Sequence, residues 1–295
     1  MPADPPPALL FEMMRSFATL ARTLNLSQAV RELGSTRQTL RRHIALLEEY
    51  KGGSLFQLDD RQYSLTQLGK DSLGEANTLL ARSEAWLHNE ASQRSGLFHL
   101  AVQEGSVPYF LQQHPLSELW RTSSDLMRWG FQMWARSEGR IESKAFSALR
   151  PYLMMFRPAD ENWICTEVGD KSSYATWFGW TWEHSSIGRN ISELPGGEGF
   201  ARLLTEPFRD VMNTHGLRLD HIVTKMQRNP EVGLEPISYQ RLAMGCRFPD
   251  GSFALATLVD RTHNILIEGL PEHMRTEMPV DKIMSIKPPK VDLTP

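Results

Sequence analysis

The chain has 295 residues, 41% hydrophobic and 23% charged, with a formal net charge of -3. That balance belongs to ordinary globular proteins and excludes disordered, collagen-like and strongly basic classes. No apolar run approaches the ~20 residues that a bilayer span needs. Two cysteines, Cys165 and Cys246, are too few for a disulfide framework and too far apart for a zinc motif, so both are expected as buried thiols. The N-terminal MPADPPPALL joins an early acid to a proline run, so a cytoplasmic protein without signal peptide is expected.

Taken in chain order, the first elements carry a local charge that the whole-chain balance hides. Between Arg15 and Arg42 six arginines stand against one acid, Glu32. Leu10, Met13, Phe17, Leu20 and Leu24 recur at helical spacing and predict a helix over 8–24. Asn25 to Ser27 breaks it, Ser27 reads as the N-cap of a short second helix, and Gly34 ends that helix. Ser35 and Gln38 have capping-box spacing, so a third helix starts there, with Leu40, Ile44 and Leu47 inward. Its other face carries Thr36, Arg37, Gln38, Thr39, Arg41, Arg42 and His43, side chains able to bond base edges or phosphates. Two short strands then flank Asp59-Asp60-Arg61. Arg61 is the tip residue that can reach a phosphate, and the two aspartates oppose that contact. Helix, turn, helix and hairpin together make a winged helix-turn-helix. The alternative is a helix-turn-helix reused as a partner-binding face in a regulator that does not touch DNA, a choice favoured by Asp59 and Asp60.

The order of Leu33-Gly34-Ser35-Thr36, Ile44-Ala45-Leu46-Leu47-Glu48, Leu55-Phe56 and Leu65-Thr66-Gln67-Leu68-Gly69 resembles the DNA-binding domain of LysR-type transcriptional regulators. Arg37-Gln38 stands where that family usually has Gln-Pro, and Arg41 where it often has Ser. The resemblance implies that Thr36, Arg37, Thr39, Arg41 and Arg42 face operator DNA. It also implies a dimer formed through a long helix. Residues 67–91 supply such a helix, with Leu73, Leu80 and Leu87 seven apart as the expected seam.

Beyond a polar hinge at 92–96, a strand is expected over 97–102 and a helix from Pro115 to about Arg140. Residues 163–168 read as a strand, 172–182 as a patch dense in tryptophan, 198–214 as a helix, and 217–227, 236–248 and 252–262 as three antiparallel strands. Strand, short helices, longer helix and three strands resemble the order of a PAS sensor domain, as does Ser186-Ile187-Gly188-Arg189. A fold of that kind can enclose a small ligand, haem or flavin, or serve assembly; which cofactor, if any, is unknown. Trp177, Trp180, Trp182, His221 and Tyr239 are the candidate pocket residues. No motif for catalysis or metal binding is present.

The sequence therefore predicts an α+β protein and no enzyme. The expected domains are a winged helix-turn-helix over 1–66, a dimerisation helix over 67–91 and a mainly helical connector over 97–150. A PAS-like antiparallel sheet with flanking helices over 151–270 and an irregular tail over 271–295 complete the chain. The expected partners are double-stranded operator DNA, a second copy of the chain, RNA polymerase and a small-molecule ligand, with no membrane.

Overall fold

The computed structural model describes residues 8–59, 62–87, 91–94, 96–104, 107–159, 162–228, 231 and 233–289. The chain divides into two compact units, Met1–Asn89 and Glu90–Pro295.

In the first unit, α1 (Leu10–Thr23), α2 (Leu26–Glu32) and α3 (Arg37–Lys51) precede the hairpin β1 (Phe56–Asp59) and β2 (Gln62–Leu65), and α4 (Gln67–Leu87) follows. The caps fall differently from the expectation. Asn25, not Ser27, caps α2, because its extended backbone lets its side chain accept from the Ser27 and Gln28 N–H groups at 3.0 and 3.1 Å. Thr36, not Ser35, caps α3 by accepting from Thr39 N–H at 3.1 Å. Ser35 is taken up by the turn, its N–H reaching the Val30 carbonyl, after Gly34 at φ +58° reverses the chain. Met13, Phe17, Leu20, Ala29, Leu40, Leu47 and Leu55 form the core on which the hairpin closes. Gly69 is needed where α4 passes that hairpin: a Cβ there would lie 2.2 Å from the Leu55 carbonyl oxygen.

The second unit contains β3 (Ala91–Arg94), β4 (Leu97–Glu104), β5 (Val107–His114), α5 (Asp125–Ser137) and α6 (Lys144–Ser147). It continues through β6 (Leu153–Ala159), β7 (Asn162–Val168), α7 (Ser173–Phe178), α8 (Trp180–Ser185) and α9 (Gly197–Thr214). β8 (Leu217–Gln227), β9 (Leu234–Arg247), β10 (Phe253–Arg261) and α10 (Glu272–Arg275) complete it. The strands form one eight-stranded antiparallel sheet in the order β3-β4-β5-β8-β9-β10-β6-β7.

Several expectations are corrected here. The stretch read as a polar hinge begins with β3, which pairs with β4 from Ala91↔Leu100 to Arg94↔Leu97. The region 97–150, read as mainly helical, opens with the β4–β5 hairpin. Two prolines sit within these strands, Pro108 of β5 opposite Gln103 and Pro158 of β6 opposite Trp163. The helix expected over 115–140 is broken. A 3-10 turn at Leu116–Trp120 ends where the Glu118 carbonyl accepts from Arg121 and Thr122, and Ser124 then caps α5 afresh.

Both faces of the central sheet are covered. Leu153, Met155, Leu219, Leu242 and Leu258 pack beneath α5 and α6 through Met127, Met133 and Phe146. The alternate residues Phe156, Ala243 and Leu255 pack beneath α9 through Leu204, Phe208 and Val211. Burying a large apolar side chain contributes about 1.5–3 kcal/mol, so these two layers dominate the stability of the unit. The segment after β10 is tied across the first face: Leu266 donates its N–H to His221 Nδ1 at 3.0 Å, and Gln240 Nε2 donates to the Asn264 carbonyl at 2.7 Å. The tail, expected as irregular, contributes α10, a 3-10 turn at Val280–Lys282 and the buried Met278.

Candidate nucleic-acid interface

Helix α3 is amphipathic for a reason visible in its sequence: Leu40, Ile44 and Leu47 recur at three- and four-residue spacing and are buried in the first core. The opposite side leaves Thr36, Arg37, Gln38, Arg41 and Arg42 exposed and Thr39 half-buried. The expected site residues of the helix are thus on one surface, at its N-terminal half. His43 is not among them. It is buried, with its Nδ1 2.8 Å from the Ser16 hydroxyl, so α3 uses it to hold α1. Arg61 lies outside the described residues, as does Asp60.

Local bonds set the donors in place. Arg37 donates from Nη2 to the Ser27 hydroxyl at 2.8 Å, joining the start of α3 to α2. Thr36 and Thr39 share a hydroxyl contact of 2.9 Å. Arg22 pairs with Glu32, and this bond, followed by one from Gln28, holds the Glu32 carboxyl below the usual carboxylate range. The one acid in the arginine-rich stretch is therefore already partnered. Arg41 and Arg42 make no ion pair among the described residues, leaving two guanidinium groups open to a ligand.

Behind the helix, Glu48 Oε1 accepts from the Leu55 and Phe56 N–H groups at 2.8 and 3.3 Å and fixes the hairpin. Thr66 donates its hydroxyl to the Ser54 carbonyl at 2.6 Å and accepts from Gly69 N–H at 3.0 Å. The Glu of the I-x-x-L-E stretch and the Thr and Gly of L-T-x-x-G are thus scaffold residues.

The expected dimer seam separates into two sets. Leu73 and Ala76 join the first core, and Leu80 is 9% exposed, so this face of α4 is used within the unit. Leu87 is exposed at 68%, together with Leu79 and Trp86 on the remaining surface of α4. Seven-residue spacing could not tell an internal face from an external one.

In the second unit, the candidate pocket residues are only partly brought together. A cavity of about 110 Å³ lies between the sheet and helices α7 and α9, with Trp177, Tyr239, Phe208 and Arg241 in its wall. Trp180 is 71% exposed and Trp182 half-buried, and neither lines it. His221 is on the other face. It pairs with Gln240 across the sheet while Tyr239 pairs with Ile222, and alternate residues of a strand point to opposite sides. There His221 stacks on His114 with ring centres 4.1 Å apart, and burial followed by His114 pulls its imidazole down to about 3.

A buried charge cluster beside the cavity was not legible in advance. Asp220 accepts from Arg218 Nε at 2.8 Å and from Arg241 Nη2 at 2.8 Å, and Arg218 also reaches Asp210 at 3.0 Å. Burial would raise the Asp220 carboxyl, but Arg218 and Arg241 outweigh it and hold it below its ordinary value. The one local signal for it in the sequence is the alternation Arg218-x-Asp220, which places the two side chains on the same face of β8. Cys165 and Cys246 are buried thiols pushed up to about 12 by burial. Among the described residues no cluster of three His, Cys, Asp or Glu is placed to hold a metal, and no helix is long and apolar enough to cross a membrane.

Residues 11–70 match the family model described as bacterial regulatory helix-turn-helix protein, lysR family. A glycine cleavage system transcriptional activator homolog of Haemophilus influenzae is 36% identical over 81 residues, 28% of this chain and 25% of that protein. Vibrio fischeri DarR, solved in complex with DNA, is 30% identical over 27% of each chain, with a TM-score of 0.26. The oxidised form of Corynebacterium glutamicum OxyR is 24% identical over 27% of this chain and 24% of that one, also at a TM-score of 0.26. The chain spans about a quarter of the length of the curated relative it matches. By the family match, its residues 11–70 are similar to the helix-turn-helix of the lysR family of bacterial regulators.

Proposed function

We propose that the protein is a DNA-binding transcriptional regulator in which α3 enters the major groove of an operator. The observation that carries this is the exposed row Thr36, Arg37, Gln38, Arg41 and Arg42 on a helix whose other side is locked into a lysR-type helix-turn-helix. Arginine can bond guanine bidentately, and threonine and glutamine can reach bases or phosphates. The chain acts as a homodimer, since one helix reads few base pairs and two half-sites about 34 Å apart supply the rest. Leu79, Trp86 and Leu87 are the surface offered for that pairing.

The second unit is a PAS-like sensor. Two strands, short helices, a long helix and three antiparallel strands occur in that order from β6 to β10, and a partly open cavity lies between the sheet and helices α7 and α9. The β3–β5 strands and the α5–α6 layer are additions to that plan.

Gel shift and footprinting of the full chain on DNA upstream of its own gene test the reading. A protected pair of half-sites is expected, and Leu87→Glu should lower both the sedimenting mass and the affinity. Absence of any protected site, with capture of a protein partner through the α3 face, would favour the partner-binding alternative.

A further inference from the structure

The cavity of the second unit has a wall of unusual charge. Among its lining residues Arg241 is the one charged side chain and none is acidic, while Phe156, Ile191, Leu204, Phe208 and Val259 make it largely apolar. Arg241 reaches the wall from the sheet and shares the single carboxylate of Asp220 with Arg218. A second guanidinium stands behind other residues of the wall. Arg261 is buried, donates to the Ser173 carbonyl and hydroxyl at 2.7 and 3.0 Å, and lies 5.5 Å from the ring centre of Trp177. Ser173 and Trp177 both line the cavity, and the indole Nε1–H of Trp177 is buried without a partner. The wall thus carries donors in Arg241 and Trp177 and no carboxylate.

Size narrows the occupant further. The cavity measures about 110 Å³ and is partly open to solvent; a closed apolar cavity of about 150 Å³ takes benzene, so this space holds about one ring and the rest of an occupant extends out of it. A haem or a flavin is several times larger than that space. We propose that the cavity binds a small monocarboxylate whose apolar body is a single ring or a branched chain, its carboxylate held at Arg241. The proposal rests on reading this unit as a ligand-binding module and commits that module to one ligand class. An anion seated there competes with Asp220 for Arg241. Because Arg218 links Asp220 to Asp210 of α9, the contacts between helix and sheet change when the site fills.

Calorimetric titration of the full chain with benzoate, benzamide and 1-naphthoate is the test, with gel shift on the operator run in parallel. Benzoate should bind and raise the thermal midpoint, and benzamide, which is isosteric and uncharged, should bind at least about tenfold more weakly. Naphthoate should not bind, because overfilling a packed site is unfavourable. Leu204→Phe narrows the cavity without touching a charge and should abolish benzoate binding with the circular dichroism unchanged. Equal affinity for benzoate and benzamide would overturn the role of Arg241. Binding of haem or flavin mononucleotide with benzoate silent would overturn the ligand class, and full binding by Leu204→Phe would overturn the site. Loss of ligand binding with operator binding intact sinks this proposal alone. Benzoate binding without any DNA binding supports it and sinks the regulatory reading instead.

Discussion

On α3, Arg41 and Arg42 are exposed and unpaired among the described residues, held out by a helix whose inner face is apolar. In the sheet, Arg218 and Arg241 are each 3% exposed and bound to Asp220. The same side chain is available for a partner in one unit and built into the fold in the other. Burial decides which, because a desolvated charge must be compensated internally whereas a solvated one is free to exchange water for a ligand.

The comparison breaks most severely at Asp220. Asp220→Asn leaves the buried Arg241 guanidinium without its counter-charge and Arg218 with Asp210 alone, and should cost about 3–5 kcal/mol in denaturant unfolding. Because the folded Asp220 carboxyl lies below its ordinary value, its stabilisation is present above about pH 3.9 and is lost as pH falls further. A cost under about 1 kcal/mol would show that the cluster is not charged as described.

Asp260 gives the opposite sign. Burial pushes its carboxyl up to about 6, against Ser124 and Arg261, which pull it down. A carboxyl raised in this way favours the fold at low pH, and that advantage is lost as pH rises through about 6. Asp260→Asn removes the titration and should be about 1–3 kcal/mol more stable than the parent at pH 8 and level with it near pH 3.5. A variant no more stable at pH 8 would contradict the burial argument.

On the exposed side, Arg41→Ala or Arg42→Ala should weaken operator binding by about 1–3 kcal/mol if the residue reads a base. If it meets phosphate, the loss should be uniform across sequences and the salt dependence flatter. Melting should barely move, since exposed substitutions usually stay within about 0.5 kcal/mol. A large fall in melting temperature with unchanged affinity would place these arginines with the structural set. The smallest effect is at the cap: Thr36→Ala should cost about 1 kcal/mol of helix stability. It should also loosen the start of α3, read as faster amide exchange at Thr39.

How much was legible differs between the units for the same reason. The first unit is small and one-layered over its core, so the spacing of Leu40, Ile44 and Leu47 was enough to name the buried and open faces of α3. His43 escaped because a polar side chain on the edge of an apolar stripe is placed by its partner, Ser16, which is 27 residues away. In the second unit, strand periodicity placed β8, β9 and β10, but alternation assumes one wet face, and helices cover both. His221, read as a pocket residue, therefore lies on the other face, while Arg218 and Asp220 are buried on the α9 side.

By itself the sequence determined what depends on neighbours within a few turns: the helix-turn-helix order, the inner face of α3 and the Pro249-Asp250-Gly251 turn, where Asp250 accepts from Ser252 N–H at 2.9 Å. Tertiary structure alone decided which face of α4 was already taken, that Arg241 rather than Trp180 lines the cavity, and that β3–β5 extend the sheet. Those outcomes depend on pairings between distant segments. Spacing along a chain fixes the direction of a side chain relative to its own element, but not what the fold brings to meet it.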